Sequence, residues 1–405
     1  MKSQSIFARL RESQADAYKR APAIREIFDS AGVRPEDLRT AKDLSRLPVF
    51  KKEKLLDRQK ENPPFGGFLA AQDEDVTRIF VSPGPINEPQ LIGENDGLGF
   101  ARAFAAAGVG RGDRVLNTWS YHLVPAGLLL DDGLRTVGAS VIPAGVGGSE
   151  MQAKLIMDVG VTCICASTAF FVTLAETLEG LGHDLPGAWK VKSALLGGEF
   201  GDWQGKRRRL EERYGIRTFS VYATADFGVI GFENGGSVGY EIHEDRIVQI
   251  CDPVTGVPLP VGEPGEIVVT TLRPGWPLIR FGTGDVAFAT ALTEEGTVHR
   301  IGMLQGRAGQ AVKAREIFIY PRQIDELAIA SPGLVRAQAV ISRPGHREEI
   351  TLRLVLAPDA SREAVFAWVH SRFRELTRLK ADHLELVAEG EIPADAPFVV
   401  DRKDP

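Results

Sequence analysis

Residues 219–230 read FSVYATADFGVI. The stretch opens as a short apolar strand, passes into small residues, and sets Tyr222, Thr224 and Asp226 at its turn. An aromatic face, a hydroxyl and a carboxylate so close together can stack a base, touch a phosphate and hold a metal ion. Thr and Asp also serve such turns structurally, because both bond back to the local backbone. The stretch therefore takes its meaning from its neighbours. An apolar strand ends upstream at Gly197, Gly198 and Glu199, and RFGTGD lies downstream at 280–285. The rest of the chain reads as scaffolding that brings these three loops together.

Outward from this turn, helix and strand patterns alternate. Helices are expected near 98–107, 126–137, 149–158, 170–181 and 202–214, with strands at 114–118, 140–142, 162–166, 193–196 and 217–221. Such alternation implies a parallel sheet covered by helices, which binds ligands at the carboxyl ends of its strands. Those ends carry Tyr121 and His122, the 143–148 turn with Ala144 and Gly145, Ser167-Thr168, and the 197–199 and 222–226 turns. Phe170 and Phe171 are further candidates for an aryl pocket, or else core. Residues 1–60 read as helices with a polar face, over 5–21, 23–31 and 51–60. A strand at 77–81 runs into the turn SPGPINEP, which begins with Ser82 and includes Gly84. A Gly-containing turn can cradle phosphate through its N–H groups, but each of its prolines removes one such donor. A rigid turn and a phosphate loop both stay open. From 238 to 285 the texture is that of an antiparallel β unit, with strands at 240–250 and 265–271. A hairpin over 286–301 follows, and then a small α/β module with a hinge near 306–310.

The 405 residues suffice for two or three domains. With 43% hydrophobic and 25% charged residues, the composition is that of an ordinary globular protein. A net charge of −6 argues against nucleic acid or an anionic membrane as the main partner. The basic run Lys206 to Arg209 reads as a solvated helix face beside two glutamates. Three cysteines, Cys163, Cys165 and Cys251, make neither a disulfide framework nor a zinc site, which points to a reduced, cytoplasmic setting. The N-terminus lacks the apolar core of a signal peptide, and no apolar run approaches membrane-span length.

Three strings resemble an adenylate-forming enzyme family of the phenylacetate–coenzyme A ligase type. YATAD at 222–226 stands in the place of a Tyr-Gly-x-Thr-Glu motif, PLIRFGTGD at 277–285 is the second, and Gly306-Arg307 followed by EIFIYPRQIDE at 316–326 is the third. The resemblance runs from about Leu47 to the end. It implies an α/β fold in which 1–306 form a large N-terminal adenylation domain of helix-covered, mainly parallel sheets plus the β unit. Residues 307–405 would form a small, mobile α+β lid. It also implies the chemistry: a carboxylic acid, ATP with Mg²⁺, and coenzyme A give a thioester through an acyl-adenylate, with a homodimer among the assemblies allowed. By this resemblance Gly198 and Glu199 line the adenine pocket and Tyr222 stacks the ring, with Ala223 and Thr224 beside it. Ser82 and Gly84 belong to the phosphate turn. Asp226 stands where a Mg²⁺-binding Glu stands, Asp285 holds the ribose, and Arg307 contacts nucleotide at the hinge. Tyr121, His122, Ala144 and Gly145 then lie near the acid.

The departures from the family pattern concern charge. Glu88 stands where the phosphate loop has Lys, Ala225 replaces a hydroxyl, and Glu316 replaces a glycine. Asp395 matches the C-terminal catalytic Lys, where an acid repels phosphate and carboxylate, and Lys403 lies beyond that point. Some members bind zinc through Cys and His after the Tyr motif. Here 232–234 read FEN and 239–241 read GYE, so no zinc is expected and His243 reads as a strand-surface residue. Two functions of different class follow: an acid–CoA ligase for an aromatic acid, or a protein that keeps the nucleotide or acyl pocket for binding or regulation.

Overall fold

The alternating helices and strands close into a sheet of five parallel strands, ordered Ser140–Pro143, Arg114–Asn117, Cys163–Ser167, Ser193–Gly197 and Arg217–Phe219. The computed structural model describes residues 4–82, 85–197, 203–235, 238–315, 317–331, 333–344 and 348–403. The chain divides into two units. The larger comprises Met1–Glu199, Gly205–Thr283 and Phe288–Met303; the smaller comprises Phe200–Gln204, Gly284–Ala287 and Leu304–Pro405.

In the larger unit, helices Phe100–Ala106 and Ala126–Thr136 bury Phe104, Leu130 and Leu134 in one core with Val115, Cys165, Leu195 and Phe219 of the strands. Each such side chain contributes roughly 1.5–3 kcal/mol by leaving water. Cys163 and Cys165 are both fully buried, and Phe171 is core as well, packed on Trp189 and Tyr214. The run Lys206 to Arg209 divides its faces. Arg208 and Arg209 are exposed, but Arg207 is buried and donates to the Thr218 hydroxyl at 2.7 Å and the Thr218 carbonyl at 2.6 Å. The expectation of a wholly solvated basic face is corrected there, because the helix needs a donor for the end of the adjacent strand.

The chain leaves the parallel sheet at Ser220. Its N–H donates to Glu233 at 2.9 Å, and Val221–Thr224 then joins a second sheet. That sheet runs Arg246–Cys251, Pro264–Thr271, Phe281–Leu292, Val298–Ile301, Tyr240–Ile242, Gly228–Phe232 and Val221–Thr224. The β unit thus begins at 221 rather than 238, and 217–221 is not one strand. The reason is that the ladder partner of the 221–232 hairpin lies further along the chain, at Tyr240–Ile242. The expected strand 240–250 is also broken, by a turn at 243–245. His243 is 4% exposed, not a surface residue. It packs edge-on against Phe232, and burial holds its imidazole below the usual range.

Part of the stretch expected as a turn after Ser82 is strand: Ile86–Leu91 pairs antiparallel with Val76–Ser82. Likewise 281–285 is strand, not loop. Before it, Arg280 adopts φ +44° and is fully buried. Its guanidinium donates to the carbonyls of Ser45 at 2.9 Å, Gly256 at 2.6 Å, and Leu47. Its own carbonyl accepts from Phe50 N–H at 2.8 Å, starting the parallel pairing of Phe50–Lys51 with Phe281–Gly282. Helix Lys52–Glu61 follows directly.

In the smaller unit the sheet order is His383–Leu386, Glu349–Leu356, Leu334–Ser342 and Val399–Arg402. Helices Pro321–Ala330 and Arg362–Thr377 pack Ile324, Leu327, Val369 and Phe373 into its core. The sequence pattern does not mark the two outer strands, because both are short and pair in parallel with partners remote in sequence. Among the described residues no helix is long and apolar enough to cross a membrane. Arg280→Ala should cost roughly 3 kcal/mol or more, through the loss of several charge-assisted bonds and the orphaning of buried carbonyls. Urea unfolding of the two proteins measures this.

Candidate active site

The 222–226 turn is carried by a β-hairpin whose register pairs Thr224 with Gly228 and Tyr222 with Gly231. Gly228 sits at φ +69°, and a Cβ there would lie 2.4 Å from Leu98 Cβ, so the turn closes only on glycine. Phe227 packs edge-on against Phe281 at 5.4 Å. These constraints direct Asp226 inward, where it is 3% exposed. Tyr222 is buried and lies tilted against Tyr240 at 6.3 Å. Ala223 and Thr224 are half-buried, and the Thr224 hydroxyl is buried without a partner.

Asp226 does not stand alone. One oxygen, Oδ2, accepts from Lys52 Nζ at 2.9 Å, and the other, Oδ1, is buried without a partner. Lys52 opens the helix that Arg280 positions, and its side chain keeps 30% exposure. The third member is Glu88, 3% exposed, on the strand Ile86–Leu91. Its Oε1 accepts from Ser82 Oγ at 2.7 Å, while Oε2 is buried without a partner. Burial first, and then the Asp226 charge, push the Glu88 carboxyl up to about 8 against the pull of Ser82 and Lys52. With both groups ionised they only repel, whereas a proton on Glu88 bonds it to Asp226. Gln59 holds the helix and this strand together, exchanging bonds of 2.8 and 2.9 Å with the Asn87 backbone.

Lys52 is the member that motif reasoning misses. Glu88 was legible as an acid in a cation's place, but nothing in the sequence sets Lys52 beside Asp226. Ser82 is buried and committed to Glu88. Gly84, Gly198 and Glu199 lie outside the described residues.

At the carboxyl ends of the parallel strands a separate group assembles. Tyr121 OH accepts from Asn117 at 2.8 Å and donates to Asp131 at 3.1 Å, and burial with the Asp131 charge raises its pKa. Gly145 N–H donates to the Asn117 carbonyl at 3.0 Å, and Gln152 pins the Gly145 and Gly147 carbonyls at 2.9 and 2.6 Å. Ala144 is half-buried beside Gly145, whereas His122 is exposed. In the smaller unit Asp285 and Arg307 face each other across antiparallel strands, with Arg307 Nε donating to Asp285 at 2.9 Å. The proposed ribose and hinge residues are thus one ion pair. Asp395 is exposed, and Lys403 is paired with Asp401 at 3.4 Å and Glu348 at 3.8 Å.

The Mg²⁺ implied by the resemblance fits this turn. Asp226 Oδ1 and the Thr224 hydroxyl are orphaned polar atoms, and Mg²⁺ takes one or two carboxylates and completes its shell with phosphate and water. Among the described residues no group of three or more His, Cys, Asp or Glu could hold a metal ion.

Glu88 stays neutral in the fold up to about pH 8, but in the unfolded chain it ionises near its ordinary 4.5. Unfolding in that window releases a proton, so raising pH from about 5 to 8 removes stability. Relative to Glu88→Gln, wild-type unfolding free energy should fall by on the order of a few kcal/mol across the window. Denaturant melts of both proteins at several pH values test this; parallel pH profiles would contradict it.

No family model matches the chain. A phenylacetate-coenzyme A ligase of Thermus thermophilus is 34% identical over 370 residues, covering 88% of this chain and 81% of the relative. One from Aromatoleum evansii is 31% identical over 366 residues, covering 87% and 81%. Among solved structures, an open conformation of 2-hydroxyisobutyryl-CoA ligase in complex with 2-HIB-AMP and CoA superposes with a TM-score of 0.83. At 24% identity, over 98% of this chain and 90% of that one, this is a likeness of fold.

Proposed function

Since the chain belongs to the phenylacetate–coenzyme A ligase family, we propose that it is an ATP-dependent acid–thiol ligase acting on an aromatic carboxylic acid in the cytoplasm. The acid's carboxylate attacks the α-phosphorus of ATP and expels pyrophosphate. The coenzyme A thiol, losing its proton, then attacks the acyl carbon of the adenylate and expels AMP. The 222–226 turn carries this assignment, because it holds an aromatic ring, an orphaned hydroxyl and an orphaned buried carboxylate oxygen on one rigid hairpin. In this scheme Tyr222 lines the base, and Ala223, Thr224 and Ser82 border the phosphates. Asp226 holds Mg²⁺, which would spread the negative charge of the phosphates. Asp285 accepts from the ribose hydroxyls, and Arg307 exchanges its bond to Asp285 for one to nucleotide as 307–405 move as a lid. Tyr121, His122, Ala144 and Gly145 border the acid; the Tyr121 hydroxyl, committed to Asn117 and Asp131, shapes that wall rather than donating to the substrate.

Two observations favour a second assignment, a nucleotide- or acyl-binding protein without efficient adenylation. Glu88, in the place of the phosphate-loop lysine, is a buried acid, and Asp395 stands in the place of the C-terminal lysine.

Thermal melts with ATP, AMP, ADP and GTP, with and without Mg²⁺, separate these assignments from a chain that binds no nucleotide. A ligand at about 100 times its dissociation constant adds roughly 2.7 kcal/mol to the folded state. Pyrophosphate release with a panel of aryl acids then separates ligase from binder: acid-dependent release is expected, and stabilisation by nucleotide without release would establish the second assignment. Asp285→Ala should weaken ATP binding by about tenfold or more. Its melting temperature should stay close to wild type, because the Arg307 side of the pair is largely solvated.

A further inference from the structure

We propose that Lys52 is the phosphate-binding cation of this chain, supplying from the helix Lys52–Glu61 the positive charge that its phosphate turn lacks. The inference rests on the nucleotide-site assignment above and names a residue which that assignment does not include. Position 88 supplies no cation, because it holds an acid, Glu88, bonded to Ser82. At the other end of the chain, Asp395 is an acid and Lys403 is committed to Asp401 and Glu348. The 222–226 turn nevertheless has an ammonium group within hydrogen-bond distance. Lys52 Nζ lies 2.9 Å from Asp226 Oδ2, and its charge also acts on the neighbouring Glu88. A single carboxylate contact uses one of the three N–H donors of an ammonium. The side chain keeps 30% exposure, so the remaining donors can reach a ligand.

The position is also rigid. The Phe50–Lys51 strand that leads into the helix is pinned to Phe281–Gly282, and Gln59, further along the helix, is bonded to Asn87. Lys51 is committed elsewhere, to Glu266. Asp226 then has two tasks, facing a metal ion with Oδ1 and orienting Lys52 with Oδ2.

Calorimetric titration of the full-length protein with ATP plus Mg²⁺, and separately with adenosine, tests the inference. Lys52→Gln should weaken ATP by at least about tenfold and adenosine by less than about twofold, as expected for the loss of one charge-assisted phosphate contact. Lys52→Arg should retain most of the ATP affinity. Equal weakening of both ligands, or of neither, would make Lys52 a structural partner of Asp226 and overturn the proposal alone. Absence of ATP binding to the wild-type protein would overturn the nucleotide site itself, and this proposal with it. Should Lys52→Gln fail to fold, acetylation of the wild-type protein read by peptide mass spectrometry decides. ATP should protect Lys52 and adenosine should not, and equal protection would overturn the proposal.

Discussion

The buried guanidinium of Arg280 is the constraint from which the larger unit takes its order. A buried cation is tolerated there because carbonyls of 45, 47 and 256 converge on it. Those carbonyls belong to segments remote from one another in sequence, so a single side chain draws the N-terminal helical region onto the second sheet. The strand Phe50–Lys51 is then forced into register with Phe281–Gly282, and the next residue is Lys52. The charge at the site is thus placed by a contact that is itself remote from the chemistry.

In the proposed scheme the site is a rearranged phosphate pocket. A phosphate loop normally offers backbone donors and a lysine; here a proline-containing hairpin offers a carboxyl group. Isolated, a second buried acid beside Asp226 would drive off any anion. Two features change the balance. Glu88 retains its proton near neutral pH, which removes its charge. Lys52 then balances Asp226. The cluster is then close to neutral, and in the proposed scheme the ammonium that meets phosphate enters from a different element than the family pattern leads one to expect.

Much of the architecture was legible from local pattern. Apolar runs alternating with amphipathic helices specify a parallel sheet because strand and helix periods differ, and the five parallel strands run where that pattern lies. The stretches at 222–226 and 280–285 stood out because their residue types are unusual together, although 281–285 is strand rather than loop. The short strands His383–Leu386 and Val399–Arg402 were not legible, since their hydrogen-bond partners lie far away in the chain and no local period marks them. His243 was misread for the same reason: alternation within 240–250 ignores the turn that buries its ring.

By itself the sequence determined the residue types: an acid at 226, an acid where a lysine belongs at 88, an acid again at 395, and the aromatic and glycine residues of the turns. Those types set the family and the chemistry within reach. Only the tertiary structure decided which charges meet. Lys52 and Asp226 are 174 positions apart, and no local rule couples them, because an ion pair depends on distance in space and on the burial that strengthens it. Likewise the Glu88 carboxyl is raised by desolvation and by the Asp226 charge, both created only when the hairpins close.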